Sequence, residues 1–161
     1  MTISVGDRLP EATFIRMGAE GPETVALEDK IKGRKVAIFA VPAAYSTTCQ
    51  TAHMPSFIRS KDRFAEKGVD EIICIAVNDP FVMAEWGKAT GADEAGITML
   101  ADADGSYTRA IGMEFDAPVV GLYGRSKRYA MLVEDGEVTV FQPELTRGCE
   151  TSSGEALLSE M

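Results

Sequence analysis

Cys49 is the residue of this sequence whose type and position suit nucleophilic chemistry best. It lies within Val41–Phe57, where an apolar strand ends, a short loop follows and a helix begins. The first turn of a helix carries unpaired backbone N–H groups and the positive end of the helix dipole, and both favour a thiolate over a thiol. The thiolate is the nucleophilic form. Position alone leaves an alternative open, because a cysteine here is also often a small buried apolar side chain without chemistry.

The elements that must position Cys49 are predicted from apolar periodicity and capping residues. Short runs that are apolar throughout are typical of strands buried on both faces of a sheet, whereas apolar residues that recur about every 3.6 positions predict a helix. The predicted strands are Val36–Val41, Glu71–Val77, Ile97–Leu100, Val119–Tyr123 and Tyr129–Val133. The predicted helices are Thr48–Lys67, Pro80–Lys88 behind Asn78-Asp79, one capped by Asp104 that ends near Gly112, and a terminal helix opened by Ser152 and Glu155 as a capping box.

Turns and loops complete the predicted architecture. Met17–Thr24 is rich in turn residues and is predicted to be a surface loop, and Asp135-Gly136 predicts a hairpin turn. We therefore expect one α/β domain over residues 1–161, with a mixed central sheet covered by helices on both faces. A parallel first half followed by an antiparallel end is typical of a thioredoxin-like fold, although several other α/β topologies share this order.

Composition and charge argue against several function classes. The 161 residues carry a formal net charge of −9, which disfavours a nucleic-acid partner because phosphates bind basic surfaces. The longest apolar run, Val36–Ala44, is far shorter than the ~20 residues of a membrane helix, so no membrane partner is expected. The N-terminus lacks the pattern of a secretory signal, and the expected location is the cytoplasm. Three cysteines cannot all pair in internal disulfides, so we expect reduced thiols, of which one or more are reactive.

The sequence around Cys49 resembles the active-site pattern of the peroxiredoxins. Pro42, Ser46 and Cys49 form P-x-x-x-S-x-x-C, which is similar to the family pattern P-x-x-x-T/S-x-x-C. The wider segment VPAAYSTTCQTAHMPSF resembles the type-II, peroxiredoxin-5-like subfamily, and the resemblance continues through AVNDPFVMAEWGKA, LADADGSY and GRSKRYAMLVEDG. It covers nearly the whole chain in order. It implies a thioredoxin-like fold and a thiol-dependent peroxidase that acts on hydrogen peroxide and alkyl hydroperoxides without a metal, haem or flavin cofactor.

The resemblance assigns roles to the residues of the motif. The Cys49 thiolate attacks the O–O bond, water or alcohol leaves, and Cys49 becomes a sulfenic acid. The Ser46 hydroxyl and the backbone N–H groups of Thr48 and Cys49 hold the peroxide in the pocket, and Pro42 shields the thiolate from water. By resemblance, Arg128 is the cation that stabilises the thiolate and polarises the peroxide.

The chain departs from the family pattern near Cys49. Ala43, Tyr45, Ser46 and Thr47 stand where the family usually has glycine, phenylalanine, threonine and proline. Ser46 keeps the hydroxyl but lacks the methyl group that restricts χ1, and the absence of a proline at position 47 loosens the helix start. These changes bear on the catalytic rate more than on the type of reaction.

Four further predictions concern residues outside the motif. His53 is open to three interpretations: a polar residue of the pocket, a metal ligand, or a structural hydrogen-bonding residue, and we favour the last because one His and one Cys are too few ligands for zinc. If Arg125–Tyr129 is a strand, Arg128 shares a face with Ser126, and Arg125 and Lys127 are solvated. Trp86 is interpreted as a core or interface residue and not as a catalytic one. Phe81 and Tyr45 are candidates for the homodimer interface that the resemblance implies, or are ordinary core aromatics.

Recycling of the sulfenic acid is expected to use an external thiol, with glutathione and glutaredoxin or thioredoxin as the reductant. Two internal cysteines are candidates for the resolving role. Cys74 has the spacing of a resolving cysteine in some type-II members but is predicted to lie in a buried strand, which disfavours pairing. Cys149 lies in the polar segment Gln142–Thr151 and is the better internal candidate. An alternative of another class is a non-enzymatic peroxide-sensing or binding domain of the same fold.

Overall fold

The computed structural model describes residues 2–145 and 148–161. Within those residues it contains nine strands and five α-helices. The strands are β1 (Thr13–Gly18), β2 (Gly21–Ala26), β3 (Lys35–Ala40), β4 (Glu71–Ala76), β5 (Thr98–Ala101), β6 (Glu114–Ala117), β7 (Leu122–Ser126), β8 (Tyr129–Glu134) and β9 (Glu137–Pro143). The helices are α1 (Leu27–Ile31), α2 (Met54–Glu66), α3 (Pro80–Thr90), α4 (Ser106–Ala110) and α5 (Gly154–Ser159), with a π-helical turn at Cys49–His53 and a 3₁₀ turn at Pro118–Val120.

Seven strands form one mixed sheet in the order β2-β1-β5-β4-β3-β8-β9. The central strands β3, β4 and β5 are parallel, whereas β8 and β9 add to β3 in the antiparallel direction. The expected parallel strands and antiparallel end are therefore confirmed, but the first two strands, β1 and β2, are antiparallel and extend the sheet beyond β5. Strands β6 and β7 form a separate two-stranded sheet beside it.

An apolar core lies on each face of the large sheet. Alternate residues of β3 contribute to opposite faces, with Phe39 in one core and Ile38 in the other. Helices α2, α3 and α5 supply side chains to the Phe39 face, whereas α1 and α4 supply them to the Ile38 face. Because both faces are covered, β3 and β4 are buried throughout their last five residues, which is why their sequences are apolar without alternation.

The helix predicted at Thr48–Lys67 is present, but its first turn is π-helical. Pro55 stands at the start of α2 and has no backbone N–H, so a regular α-helical bond from this position to the preceding turn cannot form. A wider turn accommodates the proline ring, and the Met54 N–H reaches back to the Cys49 carbonyl. As a result, Cys49 and His53 both point inward and are completely buried.

Two other local predictions are confirmed in detail. The Asp79 side chain caps α3 by accepting a hydrogen bond of 2.8 Å from the Val82 N–H, and Pro80 begins the helix. Asp135 and Gly136 both have positive φ, at 48° and 81°, which is the conformation of a tight hairpin turn between β8 and β9.

The predictions for two segments are wrong in their secondary structure. Met17–Thr24 is not a loop but the centre of the β1–β2 hairpin, in which Gly18 pairs with Gly21. Strand β2 is an exposed edge of the sheet, so its polar and turn-forming composition hid the strand. Val119–Tyr123 is not one strand, because Pro118 opens a 3₁₀ turn and Gly121 leaves it with a φ of 74°.

Two predicted helix caps are displaced by one residue. Gly105, not Asp104, is the N-cap of α4, although the Asp104 carboxylate accepts from the Ser106 N–H. Ser153, not Ser152, caps α5 by accepting from the Ala156 N–H at 3.1 Å. The capping box fails because its carboxylate, Glu155, bonds instead to Ser60 and Arg59 on α2, where a tertiary contact replaces the local one.

Candidate active site

A cleft of about 950 Å³ opens beside Cys49. Pro42, Ser46, Thr48 and Arg128 line it together with apolar residues of the β6–β7 region. The Cys49 sulfur lies beneath these residues and has no exposed surface. Thr48 stands at the N-cap of the π-helical turn, and its side chain makes no capping hydrogen bond there. The structure therefore brings together all the motif residues that the sequence singled out for catalysis.

Two polar groups contact the Cys49 sulfur directly. Arg128 donates from Nη2 to Sγ at 3.1 Å, and Ser46 Oγ lies 2.7 Å from Sγ. Ser46 Oγ also lies 2.8 Å from the Ala43 carbonyl oxygen. A hydroxyl has a single proton, so Ser46 donates to Ala43 while it accepts from a Cys49 thiol, and donates to sulfur when Cys49 is a thiolate. The hydroxyl can thus follow the charge on sulfur without movement of heavy atoms.

Arg128 is buried, with 8% of its surface exposed, and this matters for the charge on Cys49. In the described ranges, 2–145 and 148–161, no carboxylate forms an ion pair with Arg128. A buried cation is costly unless an anion or strong acceptors compensate it. The Cys49 thiolate is the group placed to do so, and the guanidinium in turn favours that thiolate.

The strand predicted around Arg128 is interrupted. Strand β7 ends at Ser126 and β8 begins at Tyr129, so Arg128 lies in the connection between them. Ser126 and Arg128 are nevertheless both buried and Lys127 is exposed, as strand alternation predicts, whereas Tyr129, which alternation would place on the same face as Lys127, is also buried. Arg125 differs from the prediction because it is half-buried and donates to the Val77 carbonyl at 3.1 Å.

His53 contacts the other terminal nitrogen of the Arg128 guanidinium. Arginine only donates hydrogen bonds, so the 2.9 Å contact with Arg128 Nη1 requires an unprotonated His53 Nδ1. The proton is on Nε2, which donates to the Ser152 carbonyl at 2.8 Å. Burial, together with the charge of Arg128, lowers the pKa of His53 to about 3 despite the hydrogen bond to Ser152. His53 is therefore a neutral, structural hydrogen-bonding residue at physiological pH.

The comparisons with known proteins agree with this geometry. The family model described as redoxin matches residues 4–158. The chain is 42% identical to Peroxiredoxin-2E-2, chloroplastic, of Oryza sativa subsp. japonica, over 99% of this chain and 73% of that protein. It is 39% identical to Peroxiredoxin-2B of Arabidopsis thaliana, over 99% and 98%. The crystal structure of reduced Prx3 from Vibrio vulnificus in complex with H₂O₂ has a TM-score of 0.92 and 39% identity, over 99% and 96%.

The chain belongs to the redoxin family. It is a type-II peroxiredoxin with the thioredoxin-like fold, and it is a thiol-dependent peroxidase. The alternative of a non-enzymatic sensing or binding domain is not favoured by these relatives. No helix in the described part of the peroxiredoxin is long and apolar enough to cross a membrane. Among the same residues, no group of three or more His, Cys, Asp or Glu could hold a metal ion.

The other two cysteines of the peroxiredoxin are free thiols in different environments. Cys74 is completely buried in β4, opposite Phe39 of β3, and its burial, followed by the charge of Cys49, raises its pKa well above the ordinary value. Cys149 is half-buried, 3.9 Å from Ser152 Oγ, and burial raises its pKa as well. Neither environment favours a thiolate at rest.

Several residues near the site were not assigned to it from the sequence. Val119, Val120 and Leu145 form an apolar rim of the cleft and are 97%, 69% and 86% exposed. Glu144 also lines the cleft, and Ser152 reaches the site through its carbonyl group. No local pattern marks these residues, because each is brought to Cys49 by contacts between distant parts of the chain.

The aromatic residues considered for an interface fall into two groups. Trp86 is completely buried, as expected of a core residue, and its ring lies 6.5 Å from that of Tyr45. Tyr45 and Phe81 are 49% and 59% exposed, so neither is an ordinary core aromatic. Tyr45 also has a φ of 66°, a left-handed conformation that turns the chain between β3 and Cys49.

Proposed function

We propose that Cys49 is the peroxide-reactive residue of this peroxidase. The thiolate attacks one oxygen of the peroxide, the O–O bond breaks, and the other oxygen leaves with a proton as water or alcohol. Sulfur is oxidised to a sulfenic acid while the peroxide is reduced. The observation that carries this proposal is the placement of Arg128 and Ser46 against a buried sulfur beside the cleft.

The neighbouring residues supply positioning and charge stabilisation in this proposal. Arg128 stabilises the thiolate and, as charge moves to the leaving oxygen, offers N–H donors to that oxygen. The Ser46 hydroxyl donates to the thiolate before the reaction. Thr48, through its backbone N–H, holds the peroxide, and Pro42 shields the sulfur from bulk water. Water exclusion strengthens each of these electrostatic contacts.

Replacement of each cysteine in turn tests the assignment. Cys49→Ser should abolish peroxide consumption, whereas Cys74→Ser and Cys149→Ser should each keep a full first-turnover burst. The two matched variants control for loss of any thiol. A burst of normal size in Cys49→Ser would rule the proposal out.

Hydrogen peroxide and alkyl hydroperoxides are the proposed substrates. A similar protein, the Prx3 of Vibrio vulnificus, was solved with H₂O₂. The exposed rim of Val119, Val120 and Leu145 offers apolar contact to an alkyl chain. Val120→Ser should therefore slow the reaction with cumene hydroperoxide and leave the reaction with H₂O₂ within about twofold. Equal slowing with both peroxides would contradict this role of the rim.

Family membership implies a thiol reductant, and we propose that glutathione with glutaredoxin, or thioredoxin, reduces the sulfenic acid directly. The burial of Cys74 in a central strand supports an external route, and Cys149 remains the better internal candidate for a resolving cysteine because it is half-buried. Mass spectrometry after one equivalent of peroxide tests this order. A persistent sulfenic acid on Cys49 that glutathione converts to a mixed disulfide is expected. Rapid, complete formation of a Cys49–Cys149 or Cys49–Cys74 bridge would refute it.

We also propose that residues 1–161 act as a single thioredoxin-like domain that forms a homodimer in the cytoplasm. Tyr45 and Phe81 are large aromatic side chains that are about half exposed, and this exposure supports their place in a dimer interface. Sedimentation equilibrium should give a dimer at micromolar concentration, and Phe81→Glu should weaken it. A monomer at that concentration would contradict the proposal. Cell fractionation tests the location, since one similar relative carries the name chloroplastic.

A further inference from the structure

Glu144, just after β9, organises the turn that precedes α5. Its Oε2 accepts hydrogen bonds from the Ser152 hydroxyl at 2.7 Å, from the Ser152 N–H at 3.1 Å and from the Glu150 N–H at 3.0 Å. Its Oε1 accepts from the Thr151 N–H at 3.5 Å. The backbone N–H of Glu144 donates to the Arg128 carbonyl at 2.9 Å. One residue therefore touches both the turn at Ser152 and the backbone of Arg128.

The turn that Glu144 holds is connected to the reactive sulfur. The Ser152 carbonyl accepts from His53 Nε2 at 2.8 Å, and His53 Nδ1 accepts from Arg128 Nη1 at 2.9 Å. The other terminal nitrogen of Arg128 donates to Cys49 Sγ at 3.1 Å. These contacts form a continuous chain from the Glu144 carboxylate to the sulfur. Of its three intermediate residues, Ser152 and His53 are completely buried and Arg128 is 8% exposed.

This series of hydrogen bonds can orient the Arg128 guanidinium without neutralising its charge. A carboxylate placed directly on Arg128 would compete with the Cys49 thiolate for the positive charge. A neutral imidazole fixes the guanidinium and leaves its charge to the sulfur. The negative charge of Glu144 is kept at a distance, where it is bound by neutral donors of the turn.

We propose that Glu144 is a positioning residue for the peroxidase reaction, because it holds Arg128 at both its backbone and, through Ser152 and His53, its guanidinium. The proposal rests on the proposed roles of Cys49 and Arg128. Loss of the Glu144 carboxylate frees the Ser152 carbonyl to move, after which His53 and the guanidinium lose their fixed orientation. The Cys49 thiolate then loses part of the hydrogen bond that stabilises it, and the peroxide is less well oriented.

The test compares Glu144→Ala with Glu144→Gln, which keeps the side-chain shape and one acceptor oxygen. Two rates are measured: reaction of the protein with H₂O₂, and alkylation of Cys49 by iodoacetamide as a function of pH, followed on the Cys49 peptide by mass spectrometry. At metal sites, loss of a residue that orients a ligand lowers affinity or activity by about 10–100-fold, and we expect both rates to fall by a similar factor in Glu144→Ala. Glu144→Gln should recover part of it. Glu137→Gln, at the exposed far end of β9, is the control and should react as the wild type does.

A double-mutant cycle separates positioning from a structural role. In an Arg128→Met background, Glu144→Gln and Glu144→Ala should cause no further loss, because the group that Glu144 positions is gone. A residue needed only for folding would slow both backgrounds by the same factor, and that result would overturn the proposal. So would unchanged Cys49 alkylation in both Glu144 variants. The alkylation arm does not depend on turnover, so failure of the peroxide reaction in the wild type would count against the proposed function and not against this inference.

Discussion

Replacement of Arg128 by methionine is the perturbation that tests the electrostatics of the site most directly. Methionine keeps part of the side-chain volume but removes the charge and both hydrogen bonds, one to Cys49 and one to His53. The contact of 3.1 Å between Nη2 and Sγ places the two charge centres ~4 Å apart, which gives a Coulombic attraction of about 4 kcal/mol at an effective dielectric constant near 20. Burial of both charges offsets part of this attraction.

A second estimate of the effect comes from catalysis. Loss of one preorganised donor to developing charge costs about 10²–10³-fold in rate, or about 2.7–4 kcal/mol. This range is close to the Coulombic value, so we expect Arg128→Met to lower the rate constant for H₂O₂ by about 10²–10³-fold. The measurement is stopped-flow oxidation under single-turnover conditions, together with the pH dependence of Cys49 alkylation. Alkylation at a fixed pH should be slower because the thiolate has lost its counter-ion.

Matched variants make the result specific to the guanidinium. Arg125→Met removes a neighbouring half-buried arginine that bonds to the Val77 carbonyl and not to sulfur, so its rate should stay within about twofold of the wild type. Arg128→Lys keeps the charge, but one ammonium group cannot reach Cys49 and His53 together. Its rate constant should therefore lie between those of Arg128→Met and Arg125→Met. A rate in Arg128→Met within twofold of the wild type, with an unchanged alkylation curve, would refute this account of the site.

Three other changes have expected outcomes. His53 has an ordinary pKa of 6.5 in the unfolded chain and about 3 in the folded protein, so below pH 6.5 only the unfolded state gains its proton, and the free energy of unfolding should fall by about 2 kcal/mol by pH 5. Denaturant titrations of the wild type and His53→Gln measure this, and the variant should lack that part of the pH dependence. Ser46→Ala should slow the reaction with H₂O₂ at least about tenfold, whereas Ser46→Thr should retain it because the hydroxyl remains. Gly154→Ala should destabilise the fold by about 1–3 kcal/mol, because its Cβ would lie 2.7 Å from the Ser56 carbonyl oxygen.

The outcomes that would contradict these expectations are distinct. Parallel stability curves for the wild type and His53→Gln between pH 7 and pH 5 would show that His53 titrates normally. Equal rates for Ser46→Ala and the wild type would remove the hydroxyl from the mechanism. An unchanged unfolding midpoint for Gly154→Ala would show that α5 has room to move away from α2.

The parts of the fold that the sequence predicted are those with local causes. The apolar run in β3, the Asp79 cap and the Asp135-Gly136 turn each depend on residues close together in the chain. The β1–β2 hairpin was missed because an exposed edge strand carries no apolar pattern. The capping box before α5 was predicted wrongly for another reason. Its carboxylate, Glu155, binds Ser60 of α2, which is distant in the sequence.

The candidate site divides in the same way. Cys49 could be singled out from its position at a helix start, and Ser46 from its spacing within the motif. Arg128 was identified only through the resemblance to a family. It lies in the connection between β7 and β8, and its hydrogen bond with His53 joins residues 75 positions apart in the sequence. The hydrogen bond between His53 and the Ser152 carbonyl joins residues 99 positions apart, and no sequence pattern predicted it. Contacts between residues so far apart in the sequence form only after the sheet has folded, because the sheet determines where the loops between its strands lie.

No carboxylate among residues 2–145 and 148–161 pairs with Arg128, and this has a consequence for the oxidised protein. A sulfenic acid is neutral, so in the proposed reaction the oxidation of Cys49 consumes the anion that faces this buried cation. The guanidinium is then left with the neutral His53 and an uncharged sulfur, and an unpaired buried charge costs several kcal/mol. The proposed reaction therefore removes part of the energy that keeps Cys49 and Arg128 buried together. We therefore expect oxidation to weaken the packing around Cys49 at the stage when a reductant needs access to the sulfur.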